Sequence, residues 1–378
     1  MHSRLRSDPN PACAVRVWTP GHMKGRGPEP AARPRVPPRP HTRMRRASPV
    51  GPAGGPLGLV SFPTPAPPME DRLDLKDLHD TVCLVTGANS GIGKETAKGL
   101  VRLGAHVIMV CRDEERGRDA QAEIQAVAQT AQPSQADATD LRIADLSVQD
   151  EVYHLGESLR ADYDRLDVLV NNAGVLLGAR EETADDLETT FAVNHLAPFL
   201  LTHLVLPLLK EAAGRAGEAR VVTVSSEAHR GTSIHFDDLN AEDSYGMVQA
   251  YGQSKLANIL FTHELARRLR DTGVTANCVH PGVVATNIWR GQDWLSRIAR
   301  LFTWLYKSPE EGAESVLYLA ASRALEGATG QYFKETEAVN PSPEAYDEKA
   351  AARLWRLSLE MTGLEDAIEQ TERGPGSP

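Results

Sequence analysis

The chain predicts an α/β fold: a single doubly wound sheet of about seven parallel strands with helices on both faces. Two observations carry this. From residue 81 onward, short β-branched runs alternate with longer segments of helical periodicity, the pattern of successive βαβ units. Every polar or glycine-rich cluster also falls just after a strand run, at the edge where open parallel sheets hold their ligands.

Taken in order, the strand runs are TVCLV (81–85), AHVIMV (105–110), LRIA (141–144), LDVLV (166–170), ARVVTV (219–224), VTANCV (274–279) and GQYF (330–333). Continuous apolar runs of this length suit strands buried on both faces. The intervening helical segments are expected around 92–103, 114–128, 148–160, 186–210, 249–271 and 309–321. One sheet absorbs all of them, so no second domain is needed, and no internal repeat is visible. The strands run in turn into TGANSGIG, CRD, DLS, NNAG, SSEAH and HPGVVAT.

Residues 1–70 read differently. They scatter Pro and Gly without periodicity and hold eleven Lys or Arg against three acids. Such a segment cannot bury enough apolar surface to offset its chain entropy, so it reads as a disordered tail. Three origins fit it: an organelle transit peptide, a basic arm for an acidic partner, or sequence upstream of a true start at Met69. Its apolar patch around Leu57–Phe62 is broken by Pro and far short of the ~20 residues that span a bilayer, so no membrane anchor is expected. The catalytic domain is expected at 71–345, with a C-terminal helix and disordered end over 346–378. The whole chain has a formal charge of −10, and the part after the tail is more acidic still, which argues against nucleic acid as a partner. Cys13, Cys83, Cys111 and Cys278 are far apart, show no metal spacing, and mostly lie in apolar runs. A reducing, cytoplasmic setting is the simplest reading.

Thr86-Gly87-Ala88-Asn89-Ser90-Gly91-Ile92-Gly93 leaves a strand and enters a helix. Its glycines permit a tight turn and close approach of a pyrophosphate to backbone amides at a helix N-terminus. At the end of the second strand, where an acid would bind the 2′-hydroxyl of NAD, stand Cys111 and Arg112. A guanidinium there suits the 2′-phosphate of NADP, with Lys94 as a second cation; alternatively Arg112 pairs with Asp113 or Glu115. Tyr251 and Lys255 are four residues apart on a predicted helix whose Leu256, Ile259, Leu260 and Leu265 recur at helical spacing, so the two share one face. An ammonium so placed is expected to lower the phenol from its free pKa of about 10 and let it shuttle a proton.

The TGxxxGxG spacing, NNAG at 171–174 and YGQSK at 251–255 together resemble the short-chain dehydrogenase/reductase family, whose fold is Rossmann-type, over roughly residues 78–345. TGANSGIGKETA, VCRDEERG, RVVTVSSEAH and VHPGVVAT resemble its retinol dehydrogenase-like branch. The resemblance implies an NADP(H)-dependent oxidoreductase acting on a hydrophobic aldehyde, ketone or alcohol. By it the catalytic residues are Asn194, Ser226, Tyr251 and Lys255, with Ser226 preferred over Ser225. Ser226 would hold the substrate oxygen, Tyr251 would move the proton, Lys255 would bind the nicotinamide ribose, and Asn194 would place a water.

Cofactor contacts implied in the same way are Gly87, Asn89, Ser90, Gly91, Ile92, Gly93, Arg112, Asp145, Leu146, Asn172, Ala173, Gly174, Tyr251, Lys255, Pro281, Gly282, Val284 and Thr286; His280 reads as structural. A homodimer or homotetramer would assemble through helices 186–210 and 249–271. Trp294, Leu295, Ile298, Leu301, Phe302 and Leu305 form an apolar stripe that is either a lid over a lipophilic substrate or a helix packed on the core or a second subunit. The rival from another class is a catalytically silent NADP(H)-binding sensor or scaffold. Such proteins lose the Tyr, Lys or Ser, and this chain holds all three.

Overall fold

The computed structural model describes residues 69–133, 137–282, 289–290 and 307–364. The N-terminal tail and most of the apolar stripe between 287 and 306, including Trp294 through Leu305, lie outside the described residues, as do Val284 and Thr286.

The chain runs β1 (Val82–Thr86), α1 (Gly91–Arg102), β2 (His106–Cys111), α2 (Glu114–Ala131), β3 (Thr139–Ile143), α3 (Gln149–Asp162), β4 (Val168–Asn171) and a short β5 (Leu176–Leu177). It continues through α4 (Ala197–Ala216), β6 (Ala219–Val224), α5 (Met247–Arg268), β7 (Val274–His280), a short β8 (Trp289–Arg290), α6 (Pro309–Ala321), β9 (Tyr332–Lys334), β10 (Glu337–Ala338) and α7 (Glu348–Met361). Local sequence explains the ends. Asp113 caps α2 by accepting from the Arg116 N–H, Ser308 and Glu311 form a capping box on α6, and Gly217 stops α4 at a φ of +85°.

The sheet order is β3-β2-β1-β4-β6-β7-β9-β10. The seven predicted strands all pair in parallel, and β10 adds an antiparallel edge through Glu337↔Lys334 and Ala338↔Phe333. That last strand was not anticipated, because two residues after a turn carry no periodicity. Alternate residues feed opposite layers. Cys83, Val85, Val107, Met109, Val168 and Val222 pack with Leu100, Ile124 and Leu317 of α1, α2 and α6. Leu84, Ile108, Val110, Leu169 and Val221 pack with Leu155, Val205 and Leu265 of α3, α4 and α5. Each such fully buried aliphatic side chain contributes ~1.5–3 kcal/mol.

The helical run Thr189–Ala216 holds an 18-residue window apolar enough to cross a bilayer, with a mean hydropathy of 1.5, but 78% of that window is buried inside the fold. Its apolar face is therefore already used by the core. α7 covers part of the α4 and α5 surfaces on which subunit contacts were expected. Trp355 stands 5.1 Å from the Phe199 ring, 5.9 Å from Phe261 and 4.9 Å from His203, and the Arg268 guanidinium lies 4.4 Å over its indole.

The chain leaves β1 outward toward β2 and β3, then returns to place β4 on the other side of β1. The strand order reverses there, which opens a crevice beyond the carboxyl ends of β1 and β4.

Candidate functional site

The turn after β1 and the turn after β4 lock together at this crevice. Gly87 and Gly91 take φ of +68° and +57°, backbone that a Cβ disfavours. Gly93 is needed for a different reason: a Cβ there would stand 2.4 Å from both the Gly87 carbonyl oxygen and Asn172 Nδ2. Asn172 cannot step aside freely, because its Nδ2 donates to the Thr86 carbonyl at 2.7 Å. Thr86 Oγ1 in turn accepts from the backbone N–H groups of Asn172 and Ala173, each at 3.0 Å. Ser90, the N-cap of α1, makes no side-chain cap, and the first turn of α1 has no acidic residue. The leading amides of α1 are thus left for an external anion, and the close-packed turn lets one approach.

A cleft of roughly 440 Å³ runs from this turn along the strand ends, with Arg112 and Asp145 on one side and Ser226, Tyr251 and Lys255 at the far end. Among the described residues, every predicted site residue lines it except Asn194 and Lys94. Asn194 sits just behind: a Cβ on Gly174 would meet Asn194 Oδ1 at 3.2 Å and Lys255 Nζ at 3.4 Å, so these three groups converge on one point. A larger hollow of about 560 Å³ lies by Thr275, Gly330 and Glu348 and contains none of the motif residues.

Tyr251 and Lys255 stand one turn apart on α5, with Nζ 5.5 Å from the Tyr251 ring centroid. Lys255 Nζ donates to the Val224 carbonyl at 3.1 Å. The two serines after β6 separate cleanly. Ser225 Oγ donates to the Lys255 carbonyl at 2.8 Å and pins β6 to α5, while the Ser226 side chain lies beside the Tyr251 phenol and favours its ionised form.

Burial pushes the phenol up to about 12, against the pull of Ser226, and brings the Lys255 ammonium down to about 8. The expectation that Lys255 would lower the Tyr251 pKa is therefore reversed. Lys255 is buried and Tyr251 half-buried on the cleft wall, and the ammonium is bonded to a backbone carbonyl rather than to the phenol.

Asn194 lies in a single π-helical turn, Ala192–Leu196, ahead of α4. Its amide donates to the Val175 carbonyl and to Ser254 Oγ, each at 3.0 Å, and accepts from the Val175 N–H at 2.7 Å. The side chain is thus engaged with protein. Pro198, four residues on, has no N–H, so the Asn194 carbonyl lacks its α-helical donor.

At the other end of the cleft, Arg112 Nη1 lies 3.6 Å from Asp145 Oδ2. Neither Asp113 nor Glu115 takes it; Asp113 is occupied in capping α2. Lys94, expected as a second cation here, is outside the cleft lining, with its Nζ held by both carboxylate oxygens of Glu123 at 2.9 and 3.1 Å. The second cation is Arg116, which does line the cleft and forms no ion pair among the described residues. A cation in the first turn of α2 opposes the helix dipole, a signal the segment CRDEER carries in sequence.

The profile of the short chain dehydrogenase family matches residues 81–293. This chain belongs to that family. Retinol dehydrogenase 12 of Bos taurus is 44% identical over 293 residues, covering 78% of this chain and 89% of that protein. A protein of Mycobacterium paratuberculosis, described as putative and uncharacterized, superposes with a TM-score of 0.60 at 33% identity, over 77% of this chain and 96% of its own. The Pseudomonas aeruginosa RhlG/NADP active-site complex does so at 0.54 and 28%, over 68% and 95%. The chain is a retinol dehydrogenase-like member of the family.

The nicotinamide cofactor that this family implies fits the groups present. The uncapped start of α1, the Gly93 close approach and the two arginines suit its phosphates, and the cleft leads from them to Tyr251. Two histidines of this short chain dehydrogenase were not foreseen as site groups. His280 ends β7, is 5% exposed, lines the cleft, and is held neutral, chiefly by burial, at about 4. His229, three residues past Ser226, is fully buried. Nothing local distinguishes a site histidine from a core one; both depend on contacts made from distant segments.

Proposed function

We propose that this short chain dehydrogenase is an NADP(H)-dependent carbonyl reductase or alcohol dehydrogenase for hydrophobic aldehydes, ketones or alcohols. The observation that carries the reading is the meeting of Ser226, Tyr251 and Lys255 in the cleft that begins at the glycine turn. The cofactor, when bound, supplies or accepts the hydride; the protein supplies placement and the proton. A phenol with a pKa of about 12 stays protonated at neutral pH, which suits donation to a carbonyl oxygen as that oxygen gains charge. Ser226 Oγ, beside the phenol, holds the same oxygen. Proton return to Tyr251 passes by Lys255, whose value of about 8 lies near working pH, toward Asn194, whose Oδ1 converges with Lys255 Nζ at Gly174.

Preference for NADP(H) is supported by Arg112 and Arg116 on the cleft wall, since guanidinium groups form strong paired bonds with phosphate. The substrate class is supported by the name of the bovine relative, a retinol dehydrogenase.

The test is NADPH oxidation by the purified protein with a panel of medium-chain and isoprenoid aldehydes, beside NADH and the Tyr251→Phe variant. Turnover preferring NADPH is expected, with a loss of at least ~10²-fold in Tyr251→Phe at unchanged NADPH affinity. Full activity in Tyr251→Phe would overturn the proton-transfer assignment, and absence of NADPH binding would overturn the reading as a whole.

A further inference from the structure

His229 closes the single 3-10 turn Glu227–His229 that follows Ser226. Its Nδ1 lies 2.7 Å from the Ser226 carbonyl oxygen, and its Nε2 lies 3.1 Å from the backbone nitrogen of Ser342. A backbone N–H only donates, so Nε2 is the acceptor, and Nδ1 carries the proton and donates to Ser226. One neutral tautomer satisfies both bonds. An imidazolium, a donor at both nitrogens, would face the Ser342 N–H with a second N–H and lose that bond.

Ser226 is therefore held at its carbonyl by the ring, while its Oγ accepts from the Ala228 N–H at 3.2 Å and meets the Tyr251 phenol. The ring ties this short turn to a segment 113 residues away. The backbone N–H of His229 also donates to the Ser226 carbonyl, at 3.1 Å, so the turn holds that carbonyl locally and the ring adds its tie to Ser342, which fixes the turn that carries Ser226 Oγ.

We propose that His229 is a positioning residue for the reaction, a neutral strap between the Ser226 carbonyl and the Ser342 amide that aims Ser226 Oγ at the oxygen Tyr251 protonates. The inference rests on the oxidoreductase reading above. Ionisable groups face the ring from several elements: Glu227 and Arg230 from its own turn, Glu344 from Pro343–Tyr346, and His280 from the end of β7. The Tyr332 ring of β9 stands edge-on at 5.1 Å. Burial holds the imidazole below the ordinary histidine pKa; the Ser226 bond, Glu227 and Glu344 work against it, and Arg230 works with it. The strap is intact while the ring is neutral and fails as pH falls through the folded value.

The experiment compares wild type with His229→Phe, His229→Asn and Ser226→Ala, reading kcat across pH and NADPH affinity by fluorescence. Asparagine keeps an N–H near the place of Nδ1, so His229→Asn should retain most of kcat and lose the acid-side fall that the imidazole causes. His229→Phe should lose ~10- to 100-fold in kcat, the scale of a small misplacement of a reacting group, with NADPH affinity within twofold. His229→Phe at wild-type kcat, with Ser226→Ala inactive, would overturn the inference and leave the oxidoreductase reading standing. Full activity in Ser226→Ala would instead sink the role given to Ser226, and the strap's purpose with it. If His229→Phe does not fold, nitrogen NMR of histidine-labelled wild type decides: the Nδ1–H tautomer is required, and an Nε2–H tautomer refutes it.

Discussion

A single methyl group at Gly93 should separate the site's architecture from ordinary helix chemistry. In Gly93→Ala the new Cβ would stand 2.4 Å from the Gly87 carbonyl and from Asn172 Nδ2, whereas real Cβ contacts essentially never fall under 3.0 Å, so something must move by at least 0.6 Å. Gly87 is backbone in a left-handed turn and cannot rotate away. The Asn172 amide is the more mobile partner, and displacing it breaks its 2.7 Å bond to the Thr86 carbonyl. An orphaned buried carbonyl costs ~1–3 kcal/mol, and overpacking adds a similar amount, giving a loss of about 2–6 kcal/mol. NADPH affinity should fall at least ~tenfold, because the same turn aims the α1 amides at the pyrophosphate.

The control is Gly214→Ala in α4, where nothing lies within 4 Å of the added Cβ. That change should stabilise by ~0.4–1 kcal/mol, through restriction of the unfolded chain. Urea denaturation and NADPH fluorescence titration read both. A Gly93→Ala protein within 0.5 kcal/mol of wild type, binding NADPH within about twofold, would refute the interlocked turn.

Three further outcomes follow from the geometry. Replacing Arg112 and Arg116 by alanine should weaken NADPH by ~10- to 100-fold each while leaving NADH and kcat nearly unchanged, since charge-assisted bonds to phosphate are worth ~1.5–3 kcal/mol; equal losses with both coenzymes would count against a 2′-phosphate site. Trp355→Ala removes the indole that α7 lays on Phe199, Phe261 and His203, and should cost ~3–5 kcal/mol in urea unfolding, with a loss under about 1 kcal/mol showing that α7 is dispensable. Burial holds His195, His203 and His280 at about 4 in the folded chain, while the unfolded rings take protons near 6.5, so their contribution is present above 6.5 and lost as pH falls toward 4. Stability should therefore decline by ~1.4 kcal/mol per pH unit for each ring between those values, and urea midpoints that stay flat from pH 7 to 5 would contradict it.

Much of the site was legible because its chemistry is local. TGANSGIG and YGQSK carry their geometry in spacings of a few residues: a tight turn into a helix, and two groups one helical turn apart. What escaped was set elsewhere in the chain. Lys94 was assigned to the cofactor from its nearness to the turn, but α1 directs it toward Glu123 on α2. Arg116 was passed over because a first-turn cation looks like ordinary surface until the strand ends are assembled around it. Ser226 over Ser225 came from the family resemblance alone, since adjacent residues after a strand give no local clue to which hydroxyl meets the Lys255 backbone and which lies beside Tyr251.

By itself the sequence determined the order of strands and helices, the parallel sheet and the edge at which ligands bind, because hydrophobic periodicity and turn chemistry act over short separations. Only the tertiary structure decided the partner of Arg112, the upward push on Tyr251 and the tautomer of His229. Each of these depends on burial and on bonds between segments far apart in the chain, and the cost of removing a charge from water is set by everything packed around it.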